Sequence, residues 1–209
     1  MKVNEILDEL ELQFPDARCE LNHDNNFQLT VAVVLSAQTT DAAVNKITKS
    51  LFDEYPTSKE MAKASIKELE KKIKSIGLYH NKAKNISALS LSLEKNFNGI
   101  VPNTMEELLE LPGVGRKSAN VIMSVCYDIP AIAVDTHVER IAKRLGLAYK
   151  KDSVLNVEKK LMKKIDKERW NKAHHLFIFF GRYFCTARSP KCDECKFINI
   201  CKEKRVKSK

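Results

Sequence analysis

Residues 104 to 117 read Thr-Met-Glu-Glu-Leu-Leu-Glu-Leu-Pro-Gly-Val-Gly-Arg-Lys, and this stretch restricts the fold more than any other. Thr104 followed by Glu107 has the spacing of a capping box, which predicts a helix start. Leu108, Leu109 and Leu111 give that short helix an apolar side, and Pro112-Gly113 stop it. Gly115 is expected to permit a second tight bend before Arg116 to Ile122 resume a helical pattern. The chain must therefore fold back on itself as two short helices joined by Pro-Gly-Val-Gly. N–H groups at the start of the second helix would point outward. Bare glycines beside them would let a phosphate come close to the backbone. An ordinary corner in a helical bundle has the same local pattern, and charge separates the two readings.

Lys and Arg total 36 against 27 Asp and Glu, a net charge of +9 in 209 residues. That excess points to a polyanion, with nucleic acid ahead of an anionic membrane surface. No apolar run approaches the roughly 20 residues of a membrane span, and no signal-peptide pattern opens the chain. No helix pairs a strongly apolar face with a dedicated basic one, which disfavours a membrane-surface role. A soluble intracellular protein is expected.

Helical periodicity runs through the rest of the chain. Val3, Ile6, Leu7, Leu10 and Phe14 share one face, and Pro15 ends them. Residues 27 to 37 are mostly apolar and rich in β-branched side chains. With no second strand to pair with, they predict a buried helix. Thr40 or Asp41 can cap a helix carrying Val44, Ile47, Leu51 and Tyr55, closed by Pro56. Ser65 with Glu68 is a second capping box, for a helix broken at Gly77; residues 80 to 97 follow in register. Thr136 with Glu139 predicts another helix, ending near Gly146, and two more are expected at about 153–164 and 168–184. The fold class is all-α, helices layered on one or two cores, with a change of character near Ile129-Pro130.

Lys117 falls in the first turn after the hairpin, next to Arg116. The positive end of the helix should favour the neutral amine there, and a neutral amine can attack a sugar carbon and form a Schiff base. A plain phosphate contact is the alternative for the same lysine. Asp135, in Ala-Val-Asp-Thr-His, emerges from an apolar approach at a helix start. It can act as an N-cap and, still ionised, stabilise developing positive charge. His137 carries no comparable argument, and His174-His175 beside an apolar run read as core or interface residues. Gln38 reads as a helix end and Leu78-Tyr79 as an apolar loop pair.

Cys19 and Cys126 stand alone and are expected to be small buried residues. The other four cysteines follow Cys185-x6-Cys192-x2-Cys195-x5-Cys201, with Arg188 and Lys191 in the first loop. Four thiols at short spacing imply a bound metal centre, and spacing alone leaves structural zinc and an iron–sulfur cluster both open. The basic loop could press on a phosphate. Lys202 to Lys209 would form either a phosphate-seeking tail or a solvated end.

Five stretches taken in order carry a resemblance. They are Leu35-Ser-Ala-Gln-Thr-Thr-Asp41, Ile76-Gly-Leu-Tyr79, Leu111-Pro-Gly-Val-Gly-Arg-Lys117, Ala133-Val-Asp-Thr-His-Val138 and the four-cysteine spacing. The chain resembles the endonuclease III family of DNA repair glycosylases over nearly its whole length. The resemblance implies two all-α domains: a six-helix barrel with a helix–hairpin–helix motif over residues 19–129, and a domain of residues 1–18 and 130–209. The second would carry a [4Fe–4S] cluster on Cys185, Cys192, Cys195 and Cys201. Lys117 would be the nucleophile and Asp135 its supporting carboxylate. Gln38 and Leu78 would probe or fill the gap left by an extruded base, while Gly113, Gly115, Arg116, Arg188 and Lys191 would contact DNA.

Adenine-mismatch members of the wider group lack the lysine and extend further at the C-terminus. This chain has Lys117 and runs eight residues past Cys201, so it resembles the bifunctional branch that acts on oxidised pyrimidines. Ser118 stands where threonine is frequent and keeps the hydroxyl. The expected partner is double-stranded DNA with oxidised pyrimidines or abasic sites, met by a monomer in the nucleoid of a bacterial cytoplasm. A non-catalytic DNA-binding module is the rival from another class, and it predicts binding without strand cleavage.

Overall fold

The computed structural model describes residues 1–203 and contains eleven α-helices and no strand among the described residues. The chain is all-α, as its periodicity predicts. Residues 204–209, most of the expected basic tail, lie outside the described residues. Two compact units form, one of Glu20–Asp128 and the other of Met1–Cys19 with the chain from Ile129 onward.

The Glu20–Asp128 unit holds α2 (Asn26–Leu35), α3 (Asp41–Glu54), α4 (Ser58–Lys63), α5 (Ile66–Ile73), α6 (Tyr79–Asn96), α7 (Met105–Glu110) and α8 (Arg116–Tyr127). Its centre is α2, in which every residue from Phe27 to Leu35 is buried. A helix apolar on all sides has to be wrapped by others, and α3, α6 and α8 pack against it. Side-chain caps set the starts. Thr40 accepts from the Ala43 N–H, and Ser65 with Glu68 makes both bonds of its capping box.

Three details depart from expectation. The six-residue α4 is too short to leave a periodic signature in the sequence. Leu109 does not join the apolar side of α7 and is 46 % exposed, whereas Leu108 and Leu111 are buried. Cys19 and Cys126 are only half-buried.

The second unit holds α1 (Val3–Gln13), α9 (Thr136–Arg144), α10 (Val154–Lys164) and α11 (Trp170–Phe179). Ile6, Leu10, Ile141, Leu161, Phe177 and Phe180 meet in its core. The helix expected at 168–184 is three pieces. A 3₁₀ turn (Lys167–Arg169) leads into α11, which widens into a π-helical stretch at Phe180–Phe184. Gly181 lets this stretch close on α9, because a Cβ there would lie 3.0 Å from the His137 Cβ. Asp135 caps α9, one of the two starts its sequence offered, and Glu139 pairs with Lys143 one turn on instead of closing a box with Thr136.

Candidate active site and metal-binding loop

The hairpin between α7 and α8 is anchored from inside by Leu111 and Val114, both buried. Its two glycines do different jobs. Gly113 has φ +82°, and a Cβ there would lie 3.0 Å from Val34 Cγ1 and 3.1 Å from the Asn85 side chain. Gly115 has φ −100°, so the second strained bend expected from the sequence does not occur. A Cβ on Gly115 would meet no protein atom within 4 Å. Neither backbone nor packing requires glycine there, and the open space on that side is available to something outside the chain. Gly115 is also the N-cap of α8 and offers no side chain to the first-turn N–H groups. Arg116 and Lys117 are exposed on that turn.

Gln38 and Leu78 belong to the same unit, and both are left-handed, with φ +54° and +58°. Only Asn98 and Asp128 share this conformation among the described non-glycine residues. A bulky leucine in this region is strained, and Leu78 is also 56 % exposed at the N-cap of α6. Strain and exposure together set these two apart from a helix end and a loop pair. Neither property can be read from the residue types.

Lys82 was not singled out in the sequence. It lies one turn into α6, is 4 % exposed, and donates from Nζ to the Thr39 hydroxyl at 2.6 Å. Burial pushes its ammonium below the usual lysine range. A signal was available: Lys82 falls on the stripe of Ile86, Leu89 and Leu93, the buried face of α6.

In the second unit, Asp135 accepts from the N–H groups of His137 and Val138, both at 2.8 Å and both through Oδ1. The cap thus leaves Oδ2 outside its two bonds. His137 is half-buried; burial pushes its imidazole down, and the Asp135 carboxylate works against that shift. Its Nδ1 lies 3.2 Å from Arg140 Nη2, and Arg140 also donates to the Gly181 carbonyl at 2.7 Å. His174, at 0 % exposure, is a core residue, as its sequence context predicts.

Cys185, Cys192, Cys195 and Cys201 are all free thiols, half-buried in one loop region. Burial pushes the Cys195 thiol up, and the neighbouring Cys185, Cys201 and Cys192 add to the shift, so the four sulfurs feel one another. Burial likewise raises Cys185, against the pull of Arg144. Arg144 is buried and donates from Nη1 to Cys185 Sγ at 3.2 Å and to the Thr186 carbonyl at 2.9 Å. Among the described residues, no three His, Cys, Asp or Glu side chains close around a single ion. Four thiols, one receiving a guanidinium N–H, fit the donor set of an iron–sulfur cluster. Arg188 and Lys191 are exposed on the same loop, with Lys191 Nζ 5.9 Å from the centre of the Phe184 ring.

Comparison with known proteins agrees with both halves of this description. The family model described as "HhH-GPD superfamily base excision DNA repair protein" matches residues 31–167. The model described as "Iron-sulfur binding domain of endonuclease III" matches residues 185–201, the span bounded by the first and last loop cysteines. Endonuclease III of Bacillus subtilis (strain 168) is 54 % identical over 203 residues, covering 97 % of this chain and 93 % of the relative. The chain belongs to the endonuclease III family. As a member it is a DNA glycosylase/AP lyase of base excision repair that carries an iron–sulfur cluster.

Endonuclease III of Rickettsia felis is 47 % identical over 199 residues, covering 95 % of this chain and 93 % of that one. A solved structure titled as a trapped endonuclease III–DNA covalent intermediate is 55 % identical, with a TM-score of 0.94 over 97 % of this chain and 95 % of the other. A thermostable thymine-DNA glycosylase shares the fold, with a TM-score of 0.83 at 21 % identity over 96 % of this chain and 95 % of the other. No helix among the described residues is long and apolar enough to cross a membrane.

Proposed function

We propose that this family member removes oxidised pyrimidines from duplex DNA through a Schiff base on Lys117 and nicks the strand by β-elimination. One observation carries the reading. Lys117 stands exposed on the first turn of α8, beside a glycine that neither packing nor backbone demands and that leaves the turn's N–H groups without a side-chain cap. That arrangement suits a backbone phosphate held at the helix start with an amine next to it. The solved relative described as a trapped covalent intermediate with DNA supports a nucleophilic mechanism.

A damaged pyrimidine stacks or pairs poorly, so extruding it costs less than extruding a sound base. Leu78 and Gln38, both exposed and both held in a left-handed backbone, enter the gap it leaves. The Lys117 amine attacks C1′. A C–N bond forms, and the glycosidic bond breaks with its electron pair leaving on the base, which takes up a proton. Loss of an amine proton, with the C1′–O4′ bond breaking and its electron pair passing to O4′, which takes up a proton, opens the ring and gives the imine. Removal of a 2′ proton then expels the 3′ phosphate, and water releases Lys117 from the sugar. Asp135, held through Oδ1 by its cap, stabilises the positive charge that develops on the sugar.

Cys185, Cys192, Cys195 and Cys201 hold a [4Fe–4S] cluster, which cross-links a small domain and shapes the Arg188–Lys191 loop against phosphates. That domain comprises residues 1–18 and 130–209, and residues 19–129 make the barrel. The protein acts as a monomer on chromosomal DNA in a bacterial cytoplasm.

Borohydride added during turnover should trap a covalent protein–DNA adduct in the wild type and none in Lys117→Gln. An undiminished adduct in that variant would remove Lys117 from its role. Binding with neither adduct nor nick in the wild type would leave only a DNA-gripping module.

A further inference from the structure

The exposed turn that carries Gln38 and the helix that begins at Leu78 are joined by a buried charge. Lys82 Nζ donates to Thr39 Oγ1 at 2.6 Å, and the Thr39 hydroxyl in turn lies 3.4 Å from the Ala37 carbonyl it can donate to. The ammonium therefore holds the turn at Thr39, directly after Gln38, and the Thr39 hydroxyl reaches back across Gln38 to Ala37. The Lys82 N–H donates to the Leu78 carbonyl at 3.0 Å, so the same residue also closes the first turn behind Leu78. Asn85, one turn further along α6, is the side chain against which Gly113 packs. Lys82 and Asn85 follow the i, i+3 spacing of one helix face, and Leu78 is the N-cap just before it.

Burying an ammonium is costly unless it makes a strong bond, and Thr39 is its one hydrogen-bond partner among the described residues, with no carboxylate beside it. Stability alone would favour an apolar residue on this face. Both left-handed residues that Lys82 links, Gln38 by way of its ammonium and Thr39, and Leu78 by way of its backbone N–H, are also strained, so each needs the surroundings to hold it.

We propose that Lys82 is a positioning residue that locks the Gln38 turn to the start of α6, so that Gln38 and Leu78 enter the duplex as one rigid piece. The inference rests on the reading above that these two side chains occupy the gap beside an extruded base. Lys82 itself touches neither the sugar nor the base.

The test uses the full-length cluster-loaded protein and a duplex with one thymine glycol opposite 2-aminopurine. The fluorescence of 2-aminopurine rises when that base is unstacked, whether or not cleavage follows. Wild type should give the rise. Lys82→Met should lose most of it and drop about tenfold in kcat, with little change in KM, the size expected for one lost charge-assisted hydrogen bond. Lys82→Arg, which keeps a cation that can reach Thr39, should recover part of both. Thr39→Val breaks the same bond from the other end and keeps the inference testable if Lys82→Met fails to fold. It should reproduce the loss, and the double variant should be no worse than either single one.

A full fluorescence rise with kcat within twofold of wild type in Lys82→Met or Thr39→Val would overturn the clamp. Complete loss of the borohydride adduct on abasic duplex in Lys82→Met would also overturn it, by making Lys82 the attacking amine. If Gln38→Ala and Leu78→Ala themselves leave the fluorescence rise intact, the gap-filling reading fails first. If they abolish it while the Lys82 and Thr39 variants do not, the clamp alone fails.

Discussion

Gly113 and Gly115, only two residues apart in sequence, make the sharpest contrast at the residue scale. Gly113 is required by its own fold, through φ +82° and through contacts near 3 Å that a Cβ would make with Val34 and Asn85. Gly113→Ala should cost about 1–3 kcal/mol in a denaturant melt. Gly115 has an ordinary φ and empty space beside it. Gly115→Ala should cost under about 1 kcal/mol of stability, yet weaken DNA binding through the methyl group it places where a phosphate would come. Equal stability losses in the two variants would contradict this division. The Pro-Gly-Val-Gly stretch announced a hairpin from sequence alone, but it could not say which glycine served the chain and which its ligand. Leu78 and Gln38 were legible only by resemblance, because positive φ at a non-glycine residue leaves no trace in residue type. Lys82 was readable in principle, as a charge on an apolar stripe.

At the scale of elements, caps carried most of what could be read. Thr40, Ser65, Thr104 and Ser153 each accept a first-turn N–H where helices α3, α5, α7 and α10 begin. At α9 the sequence offered both Thr136 and Asp135, and Asp135 takes the cap, its carboxylate reaching two N–H groups at once. This overlap of structural and chemical roles can be separated. Asp135→Asn keeps a capping oxygen and should melt within about 0.5 kcal/mol of wild type, while losing roughly 10²–10³ in kcat with the charge. Asp135→Ala should lose both, with about 1–2 kcal/mol from the cap. Similar activity in Asp135→Asn and wild type would reduce Asp135 to a cap. The six-residue α4 and the π-helical end of α11 escaped sequence reading for a common reason. The first is too short to repeat a period, and the second depends on how closely Gly181 approaches α9.

For the whole molecule, charge and buried histidines make separate predictions. A net charge of +9 implies that DNA affinity falls steeply with salt, linearly on logarithmic axes with a slope of about −0.9 per phosphate neutralised. Burial, acting first in each case, pushes His174 down to about 3 and His175 to about 4. Both rings stay neutral in the folded protein at pH values where an unfolded chain already binds protons. Their contribution is intact above the ordinary value near 6.5 and is lost as pH falls toward 4 and then 3. The melting midpoint should therefore drop between pH 7 and 4.5, with each ring adding at most roughly 1.4 kcal/mol per pH unit. His174→Asn should flatten that fall, and an unchanged profile would count against a buried neutral ring.

The proposed chemistry turns on one amine, Lys117, bonding to deoxyribose. Borohydride-reduced adduct formed on a lesion duplex, digested with nuclease and protease, can be sequenced by mass spectrometry to find which residue carries the sugar remnant. The remnant should sit on Lys117 in the wild type. A remnant on Lys82, on another lysine or on the N-terminal amine would contradict it.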